Sequence, residues 1–211
     1  MPTAFEVERL YCIADAASLG EVALGDAVDR MVGAGARWIQ LRAPGRPDAE
    51  ILQQARRAVR AAAEHGARVW MNDRPDLARL SGSFGVHLGQ EDVPPAKARE
   101  WLGPEVLIGR STHSRGQVLA AAEDPAVDVI AVGPVFTTAS KPDAETPVGI
   151  ELITWARDRT AKPLVAIGGI DADRAGRVLE AGADSVAVLG AVCRGGLEDN
   201  VRRLLKAVGE S

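Results

Sequence analysis

Asp73 and Asp92 are the residues whose setting most directly suggests chemistry. Each ends a short apolar run that breaks into a polar cluster, Trp70-Met71-Asn72-Asp73-Arg74 in one case and Val86-His87-Leu88-Gly89-Gln90-Glu91-Asp92 in the other. If the two runs are neighbouring parallel strands, both carboxylates project from one rim, where they repel unless a proton or a cation lies between them. Such a pair suits Mg²⁺, which takes one or two protein carboxylates and keeps room for substrate phosphates. Either aspartate alone could instead cap the helix that follows it.

Two further stretches suit phosphate. Ala166-Ile167-Gly168-Gly169-Ile170-Asp171 and the later Gly190 offer bare backbone N–H groups, although the glycines could equally serve only a tight turn. Gly133-Pro134-Val135-Phe136-Thr137-Thr138-Ala139-Ser140-Lys141 is a hydroxyl-rich loop with a terminal ammonium, long enough to close over a substrate or simply to lie in solvent. His113, just after Ser111, is the histidine placed to move a proton. His87 reads as a core residue or as support for its neighbours, and His65 as a helix end. Trp38, Trp101 and Trp155 read as packing, as does Trp70, which could also wall a flat ligand.

The elements that must position these residues follow one pattern. Short β-branched runs alternate with Ala-, Arg- and Glu-rich stretches, as in repeated βα units around a parallel sheet. The strands are expected at Leu10–Ala14, Trp38–Leu41, Val69–Asn72, Gly85–Leu88, Val106–Gly109, Val129–Val132, Leu164–Ile167 and Ser185–Leu189. Nearly all are apolar on both faces, which a sheet covered on both sides requires. Asp48 precedes a helix over Ala49–Glu64, Ser114 begins one running through Ala122, and Asp171 starts one ending at Ala181-Gly182. Eight units in 211 residues give a single α/β domain over the whole chain, a (β/α)₈ TIM barrel with brief loops. An open doubly wound sheet is the alternative, but no Gly-x-Gly-x-x-Gly turn follows the first strand. In a barrel the active site forms at the C-terminal strand ends, and there Gln40, Arg42, Asn72, Asp73, Ser111, His113 and the glycines gather.

Composition excludes several partners. A net charge of −4 and a pI near 5.5 argue against nucleic acid. No stretch has the apolar length of a membrane span, and Met1 to Arg9 lack the apolar run of a secretory signal. Cys12 and Cys193 lie far apart without metal-ligand spacing, as inert thiols of a reducing compartment do. The expected setting is cytoplasmic.

Taken in order, Ile39-Gln40-Leu41-Arg42, Met71-Asn72-Asp73-Arg74, His87-Leu88-Gly89-Gln90-Glu91-Asp92, Gly109-Arg110-Ser111-Thr112-His113-Ser114, Gly133-Pro134-Val135-Phe136 with Lys141, and Ala166-Ile167-Gly168-Gly169-Ile170 resemble the successive motifs of the thiamine phosphate synthase family. The resemblance spans strands two to eight. It implies an enzyme of small phosphorylated heterocycles that joins hydroxymethylpyrimidine diphosphate to a thiazole phosphate and releases pyrophosphate. It further implies that Gln40, Arg42, Asn72, Ser111 and Lys141 contact the pyrimidine diphosphate. In the same terms Asp73 and Asp92 hold Mg²⁺, and Thr138, Ser140, Gly169, Leu189 and Gly190 line the thiazole phosphate site. Arg42, Lys141, Ser111 and His113 would carry the catalysis.

Three departures from the family pattern stand out. Pro44 occupies the place of a lysine in the usual Gln-x-Arg-x-Lys motif, Gly190 that of a serine, and Arg110 precedes Ser111 as in the related TenI-type thiazole tautomerases. Arg110 could restore the missing charge or face the helices. A tautomerase using His113 as its proton shuttle and needing no metal is therefore the second reading, and a silent binder of thiamine intermediates the third. Two metal-type carboxylates favour the synthase. Barrels of this kind often pair, so a homodimer is among the arrangements the chain allows.

Overall fold

Eight strands, β1 (Leu10–Asp15), β2 (Trp38–Arg42), β3 (Arg68–Asn72), β4 (Gly85–Leu88), β5 (Leu107–Thr112), β6 (Val129–Val132), β7 (Leu164–Ile167) and β8 (Ser185–Val188), pair in parallel in sequence order, and β8 returns to β1 to close a barrel. The computed structural model describes residues 6–138 and 146–210. The helices are α1 (Leu24–Gly33), α2 (Asp48–Glu64), α3 (Pro75–Ser81), α4 (Pro95–Leu102), α5 (Arg115–Glu123), α6 (Glu151–Arg157), α7 (Ala172–Glu180), the short α8 (Gly190–Cys193) and α9 (Leu197–Val208). This is the (β/α)₈ barrel that the alternation of runs requires.

Strand alternation sorts side chains into two apolar layers. Residues such as Cys12, Ile39, Met71, Val86, Ile108 and Ile130 face outward and meet the helices. Leu197, Val201, Leu204, Leu205 and Val208 of α9 recur on one helical face and are buried there. The inward layer is smaller: Tyr11, Ile13, Trp38, Trp70, Leu107, Val129, Ala131, Val165 and Ala187 fill the barrel itself. Tyr11 stacks on Trp38 with ring centroids 4.0 Å apart, and Trp70 meets Tyr11 edge-on at 6.1 Å.

Large inward side chains are matched by glycines on the next strand. A Cβ at Gly85 would lie 2.6 Å from the Trp70 ring, and one at Gly109 would lie 2.5 Å from His87 Nδ1. Trp70 on β3 and His87 on β4 therefore point into the barrel, and the seat of Trp70 against β4 depends on the missing methyl of Gly85.

Helix signals hold where they rest on capping chemistry. Ser114 accepts from Gln117 N at the start of α5, and Asp171 accepts from Asp173 N and Arg174 N at the start of α7. His65 closes α2, followed by Gly66 at φ +66°. Trp101 departs from the packing expectation: it is 49% exposed on α4. Burial pushes the Cys12 thiol pKa up and that of Cys193 to about 11, so both are inert at neutral pH.

Candidate active site

The polar residues of the inner face collect at one end of the barrel because each strand places its last inward position there. On β1 and β2 the registered neighbours Asp15 and Arg42 form an ion pair, Arg42 Nη1 donating to Asp15 Oδ1 at 2.6 Å. Asp15 Oδ2 accepts from Ser18 N at 3.0 Å and from Ser18 Oγ at 2.8 Å. The Asp15 side chain is 2% exposed and that of Arg42 15%. Buried Nε of Arg42 meets no acceptor among the described residues. An unpaired buried N–H costs about 1–3 kcal/mol, so its natural complement is an acceptor that arrives with a ligand. Beneath this pair Gln40 Nε2 donates to the Tyr11 hydroxyl at 2.7 Å, and burial raises the Tyr11 pKa.

Asn72 ends β3 with Asp73 directly after it, and Asp92 follows β4 by four residues, so adjacent strands carry both aspartates to the same rim. Neither occupies the N-cap position of the helix that follows it: the N-cap residues of α3 and α4 are Arg74 and Pro94. Asp73 has φ +61°, while Arg74 N reaches back to Asn72 O and Asp73 N donates to His87 O, both at 2.8 Å. A non-glycine residue held in this tight turn carries about 1–3 kcal/mol of strain. Strain of that size persists where the surroundings fix it, and here the strand-four carbonyl does so.

Asp92 Oδ2 accepts from Gly89 N at 2.6 Å, folding the loop after β4 back on itself. Arg110 lies on the outer face of β5, and its Nη1 donates to Gly89 O at 2.6 Å. Burial lowers the Arg110 pKa, with Asp92 acting against that shift. Arg110 thus braces the loop that bears Asp92, and of its two expected placements the outward one is found. Arg74 is likewise occupied, paired with Asp48 at 2.6 Å and Asp76 at 2.7 Å. Its partners raise the Arg74 pKa, chiefly through Asp48.

The donors of this rim suit a Mg²⁺ ion of the sparsely liganded kind: carboxylates in the segments that follow two neighbouring strands, and on β2 a guanidinium whose Nε has no acceptor among the described residues. No cluster of three or more metal-ligating side chains occurs among the described residues, so a structural metal of the fully caged kind finds no site there. Between the loops after β2 and β3 lies a cavity of about 190 Å³, lined by Pro44, Arg46, Asn72, Asp73 and Arg74 among others. Pro44-Gly45 sits at the centre of a turn closed by Arg46 N to Ala43 O at 3.3 Å, with Gly45 at φ +75°. Proline followed by a positive-φ glycine is the signature of a type II turn.

Ser111, at the inner face of β5, lies 2.8 Å from His87 Nε2. His113 is turned to the next loop, its Nδ1 2.5 Å from Gly133 O and its backbone N 2.6 Å from Gln117 Oε1.

The other half of the rim is built from backbone. Val135 N donates to Ile167 O and Phe136 N to Gly168 O, so the loop after β6 lies directly on the end of β7. Gly168 at φ +104° and Gly169 at φ +64° permit that approach: a Cβ on the first would lie 2.5 Å from Pro134 Cα, on the second 2.6 Å from Thr137 O. The two expected phosphate regions are therefore one surface. Leu189 and Gly190 open α8 beside it. Thr138 belongs to this loop, and the expected site residues Ser140 and Lys141 lie outside the described residues.

Asp15 and Ser18 escaped the reading of the sequence, although Asp15 ends an apolar run just as Asp73 and Asp92 do. The role of His87 against Ser111 becomes visible only from strand register.

A family model described as thiamine monophosphate synthase matches residues 10–192. A thiamine-phosphate synthase of Azorhizobium caulinodans is 36% identical over 211 residues, covering 100% of this chain and 99% of the relative. A thiamine biosynthesis bifunctional protein ThiM/ThiE of Symbiobacterium thermophilum is 44% identical over 167 residues, or 79% of this chain and 35% of that longer protein. Among solved structures, a thiamine phosphate pyrophosphorylase from Pyrococcus furiosus superposes with a TM-score of 0.85 at 31% identity, covering 95% of each chain.

Proposed function

The chain belongs to the thiamine monophosphate synthase family, and from that premise we propose that it joins hydroxymethylpyrimidine diphosphate to a thiazole phosphate. The C–O bond to the diphosphate breaks, the thiazole ring nitrogen forms the new C–N bond, and pyrophosphate leaves with the electron pair of the broken bond. One observation carries the reading to residues: Asp73 and Asp92 stand on one rim with Arg42, whose buried Nε lacks an acceptor among the described residues.

Gln40, Asn72 and Ser111 would orient the pyrimidine, with Arg42 and Lys141 on its diphosphate. Thr138, Ser140, Gly169, Leu189 and Gly190 would hold the thiazole phosphate, largely through backbone N–H groups. Asp73 and Asp92 would hold Mg²⁺, which when bound offsets the negative charge that grows on the departing diphosphate. The apolar floor of Tyr11, Trp38 and Trp70 keeps water from beneath the reacting carbon. Little proton transfer is required, so placement and charge stabilisation supply most of the rate.

The tautomerase reading is not favoured. A metal-free proton shift gives the two rim carboxylates, Asp73 and Asp92, no part in the reaction, whereas a departing diphosphate does. With no helix among the described residues long and apolar enough to cross a membrane and a net charge of −4, the proposal includes a cytoplasmic setting and no nucleic-acid partner. The test is direct: supply both substrates with Mg²⁺ and measure thiamine phosphate and pyrophosphate by chromatography. Equimolar products are expected; their absence, with the thiazole carboxylate isomerised instead, would overturn the reading.

A further inference from the structure

Asp15 is the most deeply buried carboxylate at the rim, and nothing above gives it a task in the reaction. Its Oδ2 is pinned by two donors from Ser18, and its Oδ1 takes a single donor, Arg42 Nη1. Backbone bonds hold the two strands around it, with Ala16 N donating to Arg42 O at 2.8 Å and Ser18 N and Leu19 N to Asp15 O. The carboxylate is thus immobile on the side facing Arg42.

A guanidinium presents its N–H groups as a planar fork, and the edge formed by Nε and Nη2 carries two parallel N–H bonds matched to two oxygens of a phosphate. Asp15 engages Nη1 and leaves that edge free, and Nε on it is buried without an acceptor among the described residues. An arginine on a flexible stem samples many rotamers, each of which must be frozen before it can make a two-point contact. Here the freezing is complete before any ligand arrives.

We infer that Asp15 is a positioning residue: it fixes Arg42 so that the Nε–Nη2 edge is aimed at the diphosphate of the pyrimidine substrate, and Ser18 fixes Asp15 in turn. This rests on the reading of Arg42 as a diphosphate contact. Charge neutralisation alone does not explain the arrangement, since an ion pair at a loop could form without the Ser18 anchor or the registered strands.

The experiment is a double-mutant cycle on the full chain. Asp15→Asn keeps shape and volume, and kcat/KM for the pyrimidine diphosphate is expected to fall about 10²-fold while KM for the thiazole phosphate stays within about twofold. In an Arg42→Ala background the same change is expected to cost nothing further and to raise the melting temperature, because it removes an unpaired buried charge. Ser18→Ala, which leaves the carboxylate in place, is expected to lose about threefold. Losses that add across the cycle would assign Asp15 a purely structural role and overturn the inference, as would wild-type kinetics in Asp15→Asn. Calorimetric binding of inorganic pyrophosphate with Mg²⁺ separates this from failure of the assigned reaction. If the wild type binds pyrophosphate and Asp15→Asn binds it at least tenfold more weakly, the inference stands even without turnover; equal binding, or none by the wild type, overturns it.

Discussion

The two halves of the rim solve anion binding by opposite means. From β1 to β5 the groups are side chains, Asp15, Arg42, Asn72, Asp73, His87 and Ser111, with Asp15 paired to Arg42 and His87 to Ser111 across neighbouring strands. From β6 to β8 they are backbone, with glycines that let one loop lie on another. A side-chain half can lose a functional group and keep its fold. At Gly168 and Gly169 the backbone half leaves no room for an added Cβ, because there one loop lies directly on another. Substitutions in the first half should therefore change activity without stability, and in the second half both together.

The largest effect is expected at Asp92. Asp92→Ala should lower turnover by about 10³-fold or more, as removal of a preorganised charge contact does. Asp92→Asn separates the charge from the fold, since its amide oxygen can still accept from Gly89 N. Loss in both variants, matched by loss on chelating Mg²⁺ and with the melting temperature of Asp92→Asn unchanged, is the side-chain signature. Full activity in Asp92→Asn would break it.

Gly168→Ala is the counterpart on the backbone side. The new Cβ would meet Pro134 Cα and Cβ at 2.5 Å, at a residue with φ +104°. A cost of about 3 kcal/mol is expected, or roughly 6–12 °C in melting temperature for a chain of this length, with KM for the thiazole phosphate raised as the loop after β6 is displaced. If Gly168→Ala melts like the wild type, the contrast between the halves fails.

The same contrast governs what could be read in the sequence. Strands β4, β6 and β7 fall where their doubly apolar runs place them, because a sheet buried on both faces leaves no other pattern. Strand β5 runs three residues beyond its apolar run, through Arg110, Ser111 and Thr112. Those polar groups stay in the strand because each finds a partner: the loop carbonyl of Gly89, the ring of His87 and the carbonyl of Ala131. Hydropathy carries no trace of such partners. Asp15 was hidden for the same reason, since a carboxylate reads as the end of a strand unless the arginine registered beside it is known. The glycines of the backbone half were legible as a site, but their contact with the loop after β6 was not, because it joins segments about 30 residues apart.

His113→Ala tests the boundary where the halves meet, since His113 ties the end of β5 to Gly133 at the end of β6. A residue that joins loops without moving a proton should cost less than tenfold in turnover, the scale of one hydrogen bond. A loss approaching 10³-fold with the fold intact would restore the proton-shuttle reading of this histidine.

The smallest change, and the only gain, is expected at Pro44. Its turn with Gly45 rigidifies the loop after β2, beside the cavity that Asn72 and Asp73 line, where the family pattern the sequence resembles has a lysine. Pro44→Lys exchanges one benefit for the other. Loss of the proline constraint should cost about 0.4–1 kcal/mol of stability, while a solvent-exposed charge near the cavity of Asn72 and Asp73 should lower KM for the pyrimidine diphosphate about threefold, less so at high salt. The sign of the activity change is the informative part. A side-chain half accepts an added charge at a turn without rebuilding its frame, so a Pro44→Lys variant that loses both affinity and stability would mean that the loop after β2, like the one after β6, works through its backbone.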